Sequence, residues 1–199
     1  MKHKRLRIKQ VITKIAFKEE WQEIPHVIYA DGLGAVRDLT GLVPVVKKLN
    51  LKFFLDSAKR ENYDAIQILS SLGIYSGIVI HENADWERLT DLMYYALCGK
   101  VAHAPIEPFQ YVYETYNRNR LVDYGTVYMD ETFSTENRRE ATGYHRVHWQ
   151  RFFYEPTPCA ACEGWRICLG KYEKLKDKSR CQKFMAEWLN VVEDLKFKI

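Results

Sequence analysis

Residues 51–82 read LKFFLDSAKRENYDAIQILSSLGIYSGIVIHE. LKFFLDS (51–57) and IYSGIVIHE (74–82) are short apolar runs that end on polar residues, the pattern of buried strands. Between them, NYDAIQILSSLG (62–73) sets Ala65, Ile66, Leu69 and Leu72 at helical spacing and stops at Gly73. Strand, helix and strand in this order make a parallel β-α-β unit with a right-handed crossover.

The same alternation extends in both directions. HVIYADG (26–32) reads as a strand entering a glycine turn, and LTGLVPVVKKLN (39–50) as a short helix. ADWERLTDLMYYALCG (84–99) is an amphipathic helix, and KVAHAPIEP (100–108) a short fourth strand. RLRIKQVITKIAF (5–17) reads as a basic strand. The expected fold class is therefore α/β: a partial (β/α) barrel or open parallel sheet, since three or four units cannot close a barrel of about eight strands. Cys98 lies near a helix end and reads as a small buried hydrophobe.

The expected organisation has three parts. Residues 1–108 form the partial barrel. Residues 109–155, rich in tyrosine and charge, form an irregular connection with a hairpin and an exposed loop at 136–141. Residues 156–199 form a small cysteine-rich metal-cluster domain, closed by the amphipathic helix FMAEWLNVVEDL (184–195) with Phe184, Trp188, Val191, Val192 and Leu195 on its apolar face.

Composition narrows the class. No apolar run reaches the roughly 18 residues of a membrane span, and the basic residues 1–18 are not followed by the apolar stretch of a secretory leader. The expected location is the cytoplasm, away from the membrane. A net charge of +4 is too mild to imply nucleic acid. The basic N-terminal stretch reads as a protected sheet edge rather than a nucleic-acid contact.

Two sets of residues carry chemistry. Asp31 and Asp56 are 25 residues apart, Asp56 and His81 another 25, and His103 follows 22 later. Together with Glu82 these polar residues are expected at the carboxyl ends of strands, where barrels and open α/β sheets hold ligands. They are candidates for acid–base or divalent-metal chemistry, weighed against ordinary capping of the next loop or helix. ADGLGAVRD (30–38) lacks the third glycine of a dinucleotide loop. His145 and His148 would face opposite sides of an extended segment and read as surface residues.

The second set is Cys159, Cys162, Cys168 and Cys181, spaced C-x2-C-x5-C-x12-C. Four thiols this close in sequence suit one zinc ion or one iron–sulfur cluster in a reducing compartment. Cys159 and Cys162 make a two-ligand knuckle, and Gly164 and Gly170 allow tight backbone beside the ion. Cys181 reads as standing just ahead of the last helix, where the helix N-terminus favours a thiolate. Seven basic residues between Arg166 and Lys183 face only two acidic ones, a collar suited to a negative thiolate centre.

Over residues 156–195 this pattern resembles the C-terminal SPASM domain of peptide-modifying radical S-adenosylmethionine enzymes. In that family C-x2-C-x5-C and a downstream cysteine, followed here by Gln182, Lys183 and Phe184, hold one auxiliary [4Fe-4S] cluster. The family commonly adds a cysteine four positions after the third, for a different cluster; that position here is Tyr172. A partial barrel ahead of the cysteines is also what the resemblance implies. The C-x3-C-x2-C of the catalytic cluster does not occur in these residues, so the chain looks like a truncated or degenerate relative that is not a self-sufficient radical enzyme.

What the resemblance implies is an iron–sulfur accessory protein supporting electron transfer or substrate presentation for a peptide- or protein-modifying radical enzyme. A peptide is the implied substrate class. An unclosed sheet edge calls for a protein partner or a homodimer. Two alternatives stand beside it: zinc in the same four sites of a protein- or nucleic-acid-binding module, and a barrel-type hydrolase or lyase acting at Asp31, Asp56 and His81.

Overall fold

A computed structural model describes residues 27–29, 41, 43–49, 51–118, 154–168, 170, 172 and 175–196. The strand expected over 5–17, Asp31 with its glycine turn, the hairpin and exposed loop within 119–153, and His145 and His148 lie outside these residues. The chain divides into two compact units, Met1–Gln110 and Tyr111–Ile199.

The first unit is mixed α/β. Strand β1 (Val27–Tyr29) precedes helix α1 (Val43–Lys48), β2 (Lys52–Asp56), α2 (Glu61–Ser71), β3 (Ser76–Val79), α3 (Trp86–Cys98) and β4 (Ile106–Glu107). The strands form one parallel sheet in the order β1-β2-β3-β4. Ile28 is paired with Phe53, Phe53 with Ser76, and Ser76 with Ile106.

The elements end where their sequence says they should. Glu61 and Asp64 stand in the first turn of α2, where negative charge suits the helix dipole. Gly73 ends it at φ 74°, and the amides of Gly73 and Ile74 close onto the carbonyls of Ser70 and Leu69. Asp85 caps α3 by accepting the Arg88 amide at 3.3 Å. Arg88 also reaches across to Asp64 of α2 at 2.9 Å.

Alternation along the strands separates two sheet faces. The Ser76 hydroxyl donates to the Ile66 carbonyl of α2, so Ser76 and its neighbours in register face the helices. That face is dry: Phe53, Leu55, Ile66, Leu69, Leu89, Leu92 and Met93 are all fully buried. The opposite face carries Lys52, Phe54, Asp56, Tyr75, Gly77 and Glu107. Three of its contacts run between strands. The Lys52 ammonium lies 4.0 Å above the Tyr75 ring. The Tyr75 hydroxyl donates to the buried Glu107 carboxylate. The Phe54 ring covers Gly77, where a Cβ would come within 2.5 Å of it.

Residues 109–117, expected to be irregular, form helix α4 (Phe109–Asn117). Phe109, Val112 and Thr115 are buried on one side of it. Their aromatic and β-branched character hides a helical period. From Tyr111 onward α4 belongs to the second unit.

That second unit also holds α5 (Trp165–Cys168) and α6 (Lys178–Lys196). Asp177 caps α6, accepting the Arg180 amide at 3.1 Å. The expected apolar face holds for Phe184, Trp188, Val191 and Val192, with Met185 and Leu189 added. Leu195 is only half-buried.

Candidate metal centre

The strand-end set divides. Asp56 closes β2 and His81 lies two residues beyond β3, so both sit at the carboxyl edge of the sheet. His81 Nε2 stands 3.7 Å from Asp56 Oδ2. The rest of Asp56 is engaged in its own turn: Oδ1 accepts the Ala58 amide at 2.7 Å, and the main-chain carbonyl accepts the Asn62 side chain at 2.8 Å. Buried residues that the sequence did not single out hold this edge. The Ser57 hydroxyl accepts the His81 amide at 2.8 Å, and the Tyr63 hydroxyl donates to the Ser57 carbonyl while accepting the Asp85 amide. Burial pushes the Tyr63 phenol up to about 12. The only sequence signal for Asn62 and Tyr63 was their place beside the apolar stripe of α2. Glu82 is exposed. Asp31 lies outside the described residues.

His103 departs from expectation. It precedes β4 instead of following it, so it lies at the amino edge of the sheet, away from Asp56 and His81. β4 has only two residues, and the apolar stretch 100–108 did not show which of its residues pair. The imidazole is held between elements. Nε2 contacts the Tyr95 carbonyl near the end of α3 at 3.1 Å, Nδ1 contacts the Ala104 carbonyl at 2.9 Å and the Ser70 hydroxyl at 3.2 Å, and the ring stacks on Tyr95. These are a helix-end group's contacts. Cys98 is also displaced from expectation: it is exposed, outside the stripe of Leu89, Leu92, Met93 and Ala96.

The four C-terminal cysteines are thiols rather than disulfides, with Cys159 and Cys162 half-buried and Cys168 and Cys181 buried. The loop carrying the first three is folded by its own main chain. The Cys162 amide donates to the Cys159 carbonyl at 3.2 Å, the Trp165 amide to the Cys162 carbonyl at 3.0 Å, and the Cys168 amide to the Gly164 carbonyl at 3.1 Å. The main-chain amides of Gly164 and Trp165 oppose the rise of the Cys162 thiol, and those of Gly170 and Tyr172 oppose that of Cys168. Cys162 and Cys168 are each followed two residues on by a glycine, Gly164 and Gly170. Gly170 has φ 76°, a conformation that only glycine adopts freely.

Helix α6 brings in the fourth thiol. Cys181 lies inside its first turn, not ahead of it, with its amide already bonded to the Asp177 carbonyl. The helix holds the loop at three points. Gln182 donates to the Pro158 carbonyl at 2.7 Å, Lys178 donates to the Tyr172 carbonyl at 3.1 Å, and Gly164 lies against the backbone of Met185. Lys178, Cys181, Gln182 and Met185 follow helical spacing along one side of α6.

The thiols share one electrostatic neighbourhood. Burial pushes the Cys168 thiol up to about 11, and the neighbouring Cys159 and Cys162 raise it further. Burial pushes Cys181 up to about 12, with Cys168, Cys159 and Cys162 adding to the rise and Lys178 opposing it. Burial also raises Cys162. The helix N-terminus therefore does not make Cys181 a thiolate, because loss of hydration outweighs the dipole at this buried position. Among the described residues no three His, Cys, Asp or Glu side chains are drawn together tightly enough to ligate one ion. The thiols are neighbours, and any metal bound by them would have to displace their protons. Sulfur donors are of the type that zinc ions and iron–sulfur clusters take.

Among the described residues, no helix is long and apolar enough to cross a membrane. Comparison of the chain with protein-family models, with curated proteins and with solved structures finds no match.

Proposed function

We propose that Cys159, Cys162, Cys168 and Cys181 hold one [4Fe-4S] cluster, and that the chain is an iron–sulfur accessory protein moving electrons for a peptide- or protein-modifying radical enzyme. The observation that supports this reading is the shared neighbourhood of the four thiols, of which Cys168 and Cys181 are buried. When bound, such a cluster takes up or gives back one electron. The residues present do the rest. The loop amides stabilise thiolate sulfur, α6 holds the loop, and the exposed cations Arg166, Lys176, Arg180 and Lys183 favour an acidic partner.

The sheet supports the same relationship. All four strands are parallel and lie in sequential order, the winding of a barrel wall rather than of a sheet whose order reverses. We read it as a partial barrel whose polar face, with Lys52, Tyr75, Glu107 and Asp56, looks into the barrel.

The test is purification without air, followed by iron, sulfide and zinc analysis and a visible spectrum. About four irons and four sulfides per chain with a broad brown absorption are expected. One zinc per chain and no visible band would replace the redox role with a structural staple. No metal of either kind, even after reconstitution, would remove the proposal.

A further inference from the structure

Three successive turns wind the chain from Thr157 to Trp165. The Ala160 amide donates to the Thr157 carbonyl at 3.0 Å and reaches the Thr157 hydroxyl at 3.3 Å. The Cys162 amide donates to the Cys159 carbonyl at 3.2 Å, and the Trp165 amide to the Cys162 carbonyl at 3.0 Å. The middle turn therefore has a cysteine at each end. A turn closed by a hydrogen bond between its first and fourth residues brings their Cα atoms within about 7 Å. A disulfide takes a Cα separation of roughly 4.4–6.8 Å. The main chain thus already sets Cys159 and Cys162 near that separation, and side-chain torsions are what remain to close a bond.

Access singles out the same pair. Cys159 and Cys162 are half-buried, on a stretch whose Pro158, Ala160, Ala161 and Glu163 are exposed. Cys168 and Cys181 are buried and belong to different elements, the end of α5 and the first turn of α6. Cys98 is exposed but lies in the other unit. The turn is also held from outside. Gln182 of α6 donates to the Pro158 carbonyl at 2.7 Å, just before Cys159, and Gly164, two residues after Cys162, lies against the backbone of Met185. Both ends of the C-x-x-C stretch are tied to one helix, so the arrangement does not wait for a bond between the sulfurs.

We propose that Cys159 and Cys162 form a dithiol–disulfide site, a place of reversible oxidation that the fold of the loop sets in advance. The oxidant is a small dissolved disulfide. One cysteine, as its thiolate, attacks a sulfur of that disulfide; a mixed disulfide forms and one small thiol leaves. The second cysteine then attacks the protein sulfur of the mixed disulfide and releases the other small thiol. Two protein thiols become one disulfide, two electrons pass to the oxidant, and the two protons lost by the cysteines end on the departing thiols. The site concerns the chain without metal and does not depend on the cluster reading.

The experiment treats the reduced full chain, stripped with a chelator, with oxidised glutathione. Unreacted thiols are then alkylated in denaturant and the peptides mapped by mass spectrometry. The expected product is lighter by two hydrogens, with the bond between Cys159 and Cys162 and with Cys98, Cys168 and Cys181 outside it. Cys162→Ser should stop with Cys159 joined to glutathione, and Cys159→Ser with Cys162 joined to it. In glutathione buffers the folded chain should favour the bond about tenfold over the same chain in denaturant, the worth of roughly one backbone residue already fixed. Should a serine variant fail to fold, the peptide map of the parent and the comparison with denaturant decide the matter without it. A bond between Cys168 and Cys181, or one that includes Cys98, would overturn the proposal. So would separate glutathione adducts on Cys159 and Cys162, or a chain left fully reduced. An equal equilibrium in the folded and denatured chain would overturn it too, since the turn would then contribute nothing. Metal analysis of the parent tests the cluster reading on its own, so either can fail alone.

Discussion

The polar groups of the sheet unit and the thiols of the C-terminal unit are settled in different ways. At the sheet, partners come from the protein itself. Asp56 closes its own turn, Ser57 holds the His81 amide, and each nitrogen of His103 meets an oxygen. At the C-terminal site burial pushes three thiols up, and neighbouring thiols add to the rise at Cys168 and Cys181. Both regions assemble residues with chemical potential. In the second, the groups lie close together under an unfavourable environment that a cation would relieve. Proximity of reactive residues is common to both, so the stronger sign of a site is what remains electrostatically unsatisfied.

The sharpest way to break this contrast is to remove one thiol. Cys168→Ser should reduce bound metal to background, measured by elemental analysis of anaerobically purified protein. Cys98→Ser, at the exposed end of α3, should leave the metal content unchanged. Equal metal in the two variants would show that the four cysteines do not act as one site.

Gly164→Ala tests how far the site depends on α6 instead. A Cβ there would lie 2.3 Å from the Met185 Cβ and 2.6 Å from its carbonyl carbon, so the loop must lift off the helix. A loss of about 3 kcal/mol in chemical denaturation is expected, along with weakened metal retention. Gly77→Ala makes the fair comparison in the sheet unit. Its Cβ would meet the Phe54 ring, a side chain that can turn, so about 1 kcal/mol is expected and metal should be retained.

The sequence showed these two regions unequally. Asp56 and His81 were legible because β-α-β units repeat at a near-constant length, which places successive strand ends on one edge. His103 was misplaced because two paired residues leave almost no periodic trace, so the count that worked for β2 and β3 overshot the start of β4. The neighbourhood of the four cysteines was suggested by their spacing alone. The state of Cys181 was not: the helix dipole is a local effect that sequence can suggest, whereas its burial comes from tertiary packing around the start of α6. Helix α4 was hidden by Phe109, Val112 and Thr115, whose residue types favour strands while their positions serve a helix.

The carboxyl edge of the sheet offers a pH signature of a protein-satisfied site. The Tyr63 phenol is held near 12 in the folded chain, mainly by burial, against an ordinary value of 10.0. Its folded value is the higher one, so its contribution to stability is complete below pH 10 and is lost as pH rises toward 12. The loss is about 2 kcal/mol. Denaturation series on the parent and on Tyr63→Phe should show it. The parent should lose stability more steeply across that interval, and parallel curves would mean that Tyr63 is not buried as a neutral phenol.

The smallest expected effect belongs to His103. If its ring only joins the end of α3 to the segment before β4, His103→Ala should cost about 1 kcal/mol, the net worth of a hydrogen-bonded group that solvent can partly replace. Metal content should not change, because the His103 contacts named above involve none of the four thiols. His103→Asn separates hydrogen bonding from ring stacking, since it can still reach one carbonyl while losing the contact with Tyr95 at 4.8 Å. Recovery of stability in His103→Asn would assign the cost to the hydrogen bonds. A loss of metal in His103→Ala would undo the separation of roles, because an imidazole with purely structural partners has no route to the cysteine site.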